Sequence, residues 1–451
     1  MTMRKVGKVL AWSGGLLVAG LAVAAMWFWF TPVGLNNYVN KITLQLTADS
    51  PQILTQLGFI DNTPFDFHSG KLDDQTKAHE DEALARLRQV RAGLDKYGPD
   101  GLAGQELITW KTTAWFLDDL IRQGEFEHGG YRVNQISGVT VSTPQFLTDA
   151  HVIKNERSVE RYLSRLAEFG RVLRETQVRV EDDRAAGVIP PDFVIDQSLV
   201  GMRAFIADGA AKNPLVTTLP AKLEKIESLT PGERQAYVRR AEELVASEVI
   251  PGYQAMIALF EDMRPQASHD AGIWRIPDGD RIYAAALQSS TTTCLSADEI
   301  HALGLSEVER IEREMLAILD AQGIQGTTLA GRIEQLNTAP AQNFSNTDAG
   351  RAEAIAYLHQ INDRVMAAAP KFFLTIPPQP LEIVRVPEYS QDSSPGGYYN
   401  PPALDGSRPG RFYINQKDTA DNPKWKLPTL MIHEGAPGHH FQLSAQQLIK
   451  G

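Results

Sequence analysis

Cysteine is all but missing from this chain of 451 residues, where Cys294 stands alone. No intrachain disulfide can form, and a zinc site built on thiolates is excluded. The lone thiol lies just before a helix start with only His301 near it in sequence, so it is expected to be a small buried residue rather than a nucleophile. Positive charge is short as well. The 44 Lys and Arg are outnumbered by 55 Asp and Glu, a net of −11, and no basic patch marks a nucleic-acid partner. No internal repeat of solenoid period is visible.

Long hydrophobic runs are confined to the N-terminus. Arg4, Lys5 and Lys8 precede an uncharged stretch from Val9 to Phe30, 22 residues long. At 1.5 Å per residue it spans ~33 Å, enough for a bilayer core. The basic flank keeps residues 1–8 on the cytoplasmic side, and Trp27, Phe28, Trp29 and Phe30 form an aromatic belt at the far side. The competing reading is a signal peptide cleaved after Ala22-Val23-Ala24, which would leave a secreted protein. Either way the body lies beyond the inner membrane, and its roughly 400 residues can bury a large core.

Helical periodicity dominates that body as far as residue 370 or so. Leu84, Leu87, Val90 and Leu94 recur at three and four, as do Val159, Tyr162, Leu163, Leu166, Phe169 and Leu173. Thr230-Pro231-Gly232-Glu233 supplies a capping hydroxyl, a first-turn proline and a glutamate at the third position. Ser296-Ala297-Asp298-Glu299 is a capping box whose helix should stop at Gly323. Ile250-Pro251-Gly252 is expected to break another helix. The stretch around Arg86, Arg88 and Arg91 reads as a solvated helix face, and His151 and His301 as core or exposed side chains rather than ligands.

Past Pro370 the pattern changes. Residues 381–386 and 411–415 read as short strands, with a loop rich in Pro, Gly, Ser and Tyr between them. The segments are a basic tail (1–8), the apolar anchor (9–30), a linker (31–65), a helical domain (66–370), and a β-hairpin or loop leading to a histidine segment (371–451). The strand at Phe412-Tyr413-Ile414 is the candidate for pairing with a substrate backbone, with the long loop as a cleft rim. Tyr398 and Tyr399 are candidates for hydrogen-bonding an oxyanion, and Glu382 and Glu388 for substitute metal ligands.

That histidine segment, His433-Glu434-Gly435-Ala436-Pro437-Gly438-His439-His440, is the most informative part of the chain. Hydrolytic zinc sites commonly use imidazoles to hold the metal and an adjacent glutamate as base toward water. The usual spacing is His-Glu-x-x-His, but here the fifth position is Pro437. In a regular helix His433 and His439 would sit ~240° apart and ~9 Å along the axis, too far to share an ion. Pro437 lacks an amide hydrogen, while Gly435 and Gly438 open backbone angles closed to other residues. A bulged or broken helix that returns His439 beside His433 is predicted.

The run from Leu427 to Gln442 resembles the bacterial family known as domain of unknown function 885, whose pattern is His-Glu-x-x-Pro-Gly-His-x-x-Gln. Gly272 to Gly279 with Tyr283, Leu295 to Leu305, and Gly397 to Pro401 fit the same family, so the likeness runs from about residue 50 to the end. It implies a mainly α fold of the zincin metallopeptidase kind, resembling oligopeptidases and angiotensin-converting enzyme, with a small β element before the metal helix. It further implies zinc as cofactor, a peptide substrate, His433 and His439 as metal ligands, and Glu434 as catalytic base; His440 has no comparable role. Relatives are expected to continue past this motif to a further glutamate, the third ligand, whereas this chain stops at Gly451 inside an expected helix. The expectation is therefore a periplasm-facing peptidase anchored in a bacterial inner membrane. The alternative is a non-catalytic helical binding protein, or a shortened, inactive member of the family.

Overall fold

The computed structural model describes residues 32–449 and residue 20, apart from residues 59, 393 and 405. It divides into two compact units. One comprises the described residues up to Ser50 together with Thr76–Glu127, and the other Pro51–Gln75 with the chain from His128 onward. The stretch 31–65, expected to be a linker, instead contains helix α1 (Leu35–Ala48) and a short helix at Pro51–Leu57. In the first unit α1, α2 (Lys77–Leu94) and α3 (Gly104–Gly124) enclose a core of Leu35, Tyr38, Ile42, Val90, Leu94, Ala114 and Leu117. The linker reading failed because one turn-spaced set, Leu35, Tyr38 and Ile42, is too short a signal among polar neighbours. The arginines of α2 are not simply solvated: Arg86 pairs with Asp49, Arg88 with Glu125, and Arg91 with Asp95 and Asp118.

The second unit is built on α4 (Glu156–Ala185), which starts at a capping box between Asn155 and Ser158. Its apolar stripe of Val159, Tyr162, Leu163, Leu166, Phe169 and Leu173 is buried, as the periodicity requires. Against it pack α5 (Asp192–Ile206), α6 (Pro231–Leu244) and α7 (Ile250–Met263). The Thr230 cap forms as expected: the Glu233 carboxylate accepts from the Thr230 amide at 2.8 Å, and the Glu233 amide donates back to Oγ1 at 3.3 Å. The expected break at Ile250-Pro251-Gly252 is absent. A π-helical turn at Val245–Val249 joins α6 to α7, and a wide turn of this kind accommodates a proline without an amide hydrogen. Gly252 serves packing instead, since a Cβ there would lie 2.6 Å from Leu173 Cδ1 on α4.

One buried cation organises the same core. Arg165 is fully buried on α4, and its guanidinium donates to the Lys71 carbonyl (2.9 Å), Thr55 Oγ1 (2.7 Å) and His151 Nδ1 (2.7 Å). Burial pulls its pKa down to about 10. His151 is buried at the end of a second π turn, Phe146–Ala150, and its Nε2 lies 3.1 Å from the Ser158 carbonyl. His301 is exposed on α8 (Ala297–Ala321), so both histidines take the structural roles expected of them.

Helix α8 starts at the Ser296–Glu299 capping box and ends just before Gly323, whose φ is +73°. Cys294, expected to be buried, is exposed. It lies between the end of one helix at Thr291 and the start of α8, in a run of exposed residues from 292 to 299. Helix α9 (Asp348–Ala368) stops before Pro370. The expected hairpin is replaced by a three-stranded sheet, β1 (Leu381–Arg385), β2 (Gly397–Asn400) and β3 (Gly410–Ile414), in the order β1-β3-β2. β3 runs parallel to β1 and antiparallel to β2. The described residues are thus mainly helical with one small sheet. Among the described residues no helix is long and apolar enough to cross a membrane, and the apolar segment 9–30 lies outside them except for residue 20.

Candidate metal centre

The sheet and α9 together seat the histidine segment. Phe412, Ile414 and Ile383 from the sheet meet Leu358 and Ile361 of α9 and Leu427 and Met431 of α10 (Leu427–Glu434) in one core. Helix α10 begins with Pro428 in its first turn and ends at Glu434, and α11 (His439–Gln446) follows. The predicted break is present and occupies residues 435–438, with a cis peptide between Ala436 and Pro437. Two backbone bonds fasten it: Gly438 N–H to the Ile432 carbonyl at 3.0 Å, and His440 N–H to the Gly435 carbonyl at 3.2 Å. A Cβ on Gly438 would stand 2.0 Å from the His433 carbonyl oxygen, and one on Gly435 2.8 Å from that of Met431. Only glycine allows the backbone to fold back so closely at these two positions.

The break brings together the residues the sequence singled out. The His433 and His439 rings meet edge to face with centroids 4.7 Å apart. His439 Nε2 lies 4.0 Å from Glu434 Oε2, and one donor atom from each of the three residues falls within 4.8 Å of the other two. Donors bound ~2 Å from one zinc ion stand about 3–4 Å apart, so small side-chain rotations suffice. Two imidazoles and a carboxylate also match the ligand chemistry zinc accepts. His433 is exposed, His439 half-exposed and Glu434 buried, which leaves one side of the cluster open. The residues present fit the ion. Among the described residues no other group of three His, Cys, Asp or Glu meets the same geometry.

His440 turns away from the pair. Its Nε2 donates to the Gln379 carbonyl at 3.0 Å, so Nδ1 is left to accept from the Tyr399 hydroxyl at 2.8 Å. Burial lowers the His440 pKa and pushes the Tyr399 hydroxyl up to about 12, so both groups are neutral at pH 7. The Tyr399 ring also stacks toward His439 at 6.4 Å. Nothing in the sequence announced this link, since a tyrosine in a glycine-rich loop carries no positional signal. Tyr398 faces the other side of β2, stacked on Tyr413 at 4.7 Å with its hydroxyl accepting from Gln145 Nε2 at 2.9 Å. It is therefore removed from the histidines. Glu382 pairs with Arg411 at 2.8 Å and Glu388 with Arg385 at 2.9 Å; neither reaches the cluster. Phe412-Tyr413-Ile414, expected to pair with substrate, is the central strand with a partner on each side. The edges are β1 and the missed strand β2.

The model of the bacterial family of unknown function DUF885 matches residues 51–451, and this chain belongs to that family. No curated protein matches it. Among solved structures it is similar to a "putative lipoprotein" from Colwellia psychrerythraea, with 27% identity and a TM-score of 0.82 over 90% of this chain and 72% of that one.

Proposed function

We propose that this member of the DUF885 family is a zinc-dependent peptidase of the zincin kind, with His433 and His439 as metal ligands and Glu434 as general base. The supporting observation is the glycine-enabled break that sets two imidazoles and a carboxylate within 4.8 Å. Zinc, when bound, supplies Lewis acidity toward a carbonyl and makes water nucleophilic near neutral pH. Glu434 accepts a proton at its carboxylate and returns it to the leaving amine. Its burial at the end of α10 fixes that carboxylate beside His439.

Strand β2 offers a place for the substrate backbone. The Asn415 amide donates to the Gly396 carbonyl at 2.9 Å, so antiparallel alternation turns the main-chain groups of Gly397 and Tyr399 away from β3. An extended peptide added along that edge would pass the Tyr399 ring and hence His439. The basic Arg4, Lys5 and Lys8 before the apolar segment 9–30, together with the lipoprotein designation of the similar structure, favour a membrane-associated site of action beyond the cytoplasm.

A second reading is a non-catalytic binding protein. It is favoured by the cluster itself: among the described residues only two ligands remain once Glu434 is assigned as base, whereas catalytic zinc normally has three protein ligands. Purified protein, zinc content by mass spectrometry and a peptide library separate the two. The peptidase reading expects one zinc per chain and hydrolysis that Glu434→Gln abolishes while zinc is retained. A metal-free wild-type protein, or one inert toward every peptide, leaves the binding-protein reading.

A further inference from the structure

A cavity of about 270 Å³ opens on the face of β2 opposite His439. Its walls come from the helix at Val139–Gln145 with the π turn after it, from α5, and from the loop leading into β2. Pro144, Met202, Phe205, Pro395 and Tyr398 make it largely apolar. Tyr398 is held in place by its stack on Tyr413 and by the hydrogen bond from Gln145. Tyr413 is fixed in turn, its hydroxyl donating to Asp149 Oδ2 at 3.1 Å. The wall is therefore formed in advance.

One residue points to a ligand. Gly201 lies within α5, where glycine is the least favourable residue except proline. No close contact requires it: a Cβ built there meets nothing within 4 Å. Its position in the cavity wall supplies the reason, because any side chain would project into the space.

The charge pattern narrows the ligand. No Lys or Arg lines the cavity, and Asp149 is its one ionisable acid, so anionic groups are disfavoured. Asp149 also lies in the field of the Lys222 ammonium, which donates to the Thr148 carbonyl at 2.6 Å behind the wall. That cation offsets the carboxylate and removes the attraction for a basic group. The volume suits one side chain rather than a whole cofactor, for which pockets of ~300–1,000 Å³ are usual.

We infer that this cavity is the pocket for a bulky uncharged side chain, aromatic or branched aliphatic, of a peptide laid along β2. The assignment of a peptide rests on the peptidase reading; the preference of the cavity for such a side chain does not. The test uses the full chain with N-acetyl-phenylalaninamide as probe and N-acetyl-glycinamide as control, followed by ligand-observed NMR. Wild type should bind the first saturably and at least tenfold more tightly than the second. Gly201→Leu should abolish that preference with no loss of thermal stability, and Gly201→Ala should reduce it. Equal binding of both probes by wild type, or an undiminished preference in both variants, overturns the pocket. Cleavage supplies a separate arm, in which Gly201→Leu should slow peptides bearing phenylalanine at least tenfold and spare those bearing alanine. A wild type that cleaves nothing but binds as described sinks the peptidase reading and leaves the pocket standing.

Discussion

His433 and His439 are six residues apart in sequence, yet their rings touch edge to face at 4.7 Å between centroids. The contact exists because residues 435–438 leave the helix and return to it, fastened by the bond from Gly438 to Ile432. If both rings hold one ion, His433→Ala and His439→Ala should each reduce bound zinc from one per chain to near none. Removing zinc from wild type with a chelator should lower the unfolding temperature, by the equivalent of about 2.7 kcal/mol when free zinc had stood at 100 times its dissociation constant. Zinc content unchanged in both variants would rule out the pair as ligands.

The break depends on glycine at position 438, where a Cβ would meet the His433 carbonyl at 2.0 Å. Gly438→Ala is expected to displace His439, weaken zinc binding by tenfold or more and destabilise the fold by about 1–3 kcal/mol, the range for a forced overlap. Zinc titration and urea unfolding would measure both effects. Full affinity in this variant would mean that the backbone is free to relax here.

Tyr399→Phe removes the hydroxyl that donates to His440 Nδ1 and leaves a half-buried ring nitrogen without its partner. A loss of about 1–2 kcal/mol in unfolding free energy is expected. Zinc stoichiometry should stay at the wild-type value, because His440 lies outside the cluster. A change in zinc content would connect His440 to the metal after all.

Arg165→Met should be among the most damaging substitutions in the second unit. It strands His151 Nδ1 and the Lys71 carbonyl in the core and takes one donor from Thr55 Oγ1, which still bonds the Pro51 carbonyl, at about 1–3 kcal/mol for each unsatisfied group. A midpoint within error of wild type in urea would show that the methionine side chain and water replace the hub at no cost.

His151 should give the fold an acid limit. Burial, and then the Arg165 charge, hold its pKa well below 6.5, so the folded state keeps it neutral while the unfolded chain takes up a proton. The contribution is absent above pH ~6.5; below that, stability falls by up to about 1.4 kcal/mol per pH unit until the folded pKa is reached. Urea midpoints measured from pH 7.5 to 5 should show a shallower slope in His151→Gln. A slope unchanged by the substitution would place the titrating group elsewhere.

Much of this was readable from residues alone where a local rule decides the outcome. The Thr230 and Ser296 caps, the stripe on α4, the end of α9 and the break after Glu434 each follow from side-chain chemistry within a few positions. The readings that failed depended on distant partners. Pro251 was tolerated because a π turn could form where α6 and α7 pack on α4. Strand β2, only four residues of a Gly- and Tyr-rich loop, exists because β3 has a free edge for it. No local pattern marks Arg165 as buried, because its partners come from residues 51–75, about a hundred positions away. In the candidate site, the two imidazoles and the acid were local signals, while Tyr399 and the cavity beside Tyr398 were assembled from segments far apart in sequence.

The order of the sheet also constrains how a nascent chain matures. Of the three described strands β3 comes last in sequence, yet it is the one with which both others pair. A chain released only as far as residue 400 carries β1 and β2 without a ladder between them, and α10 and α11 have not yet been made. Residues 410–414 then unite the strands, and His439 follows about one to five seconds later at ~5–20 residues per second. The turn that sets His433 against His439 therefore forms only after the sheet that seats it.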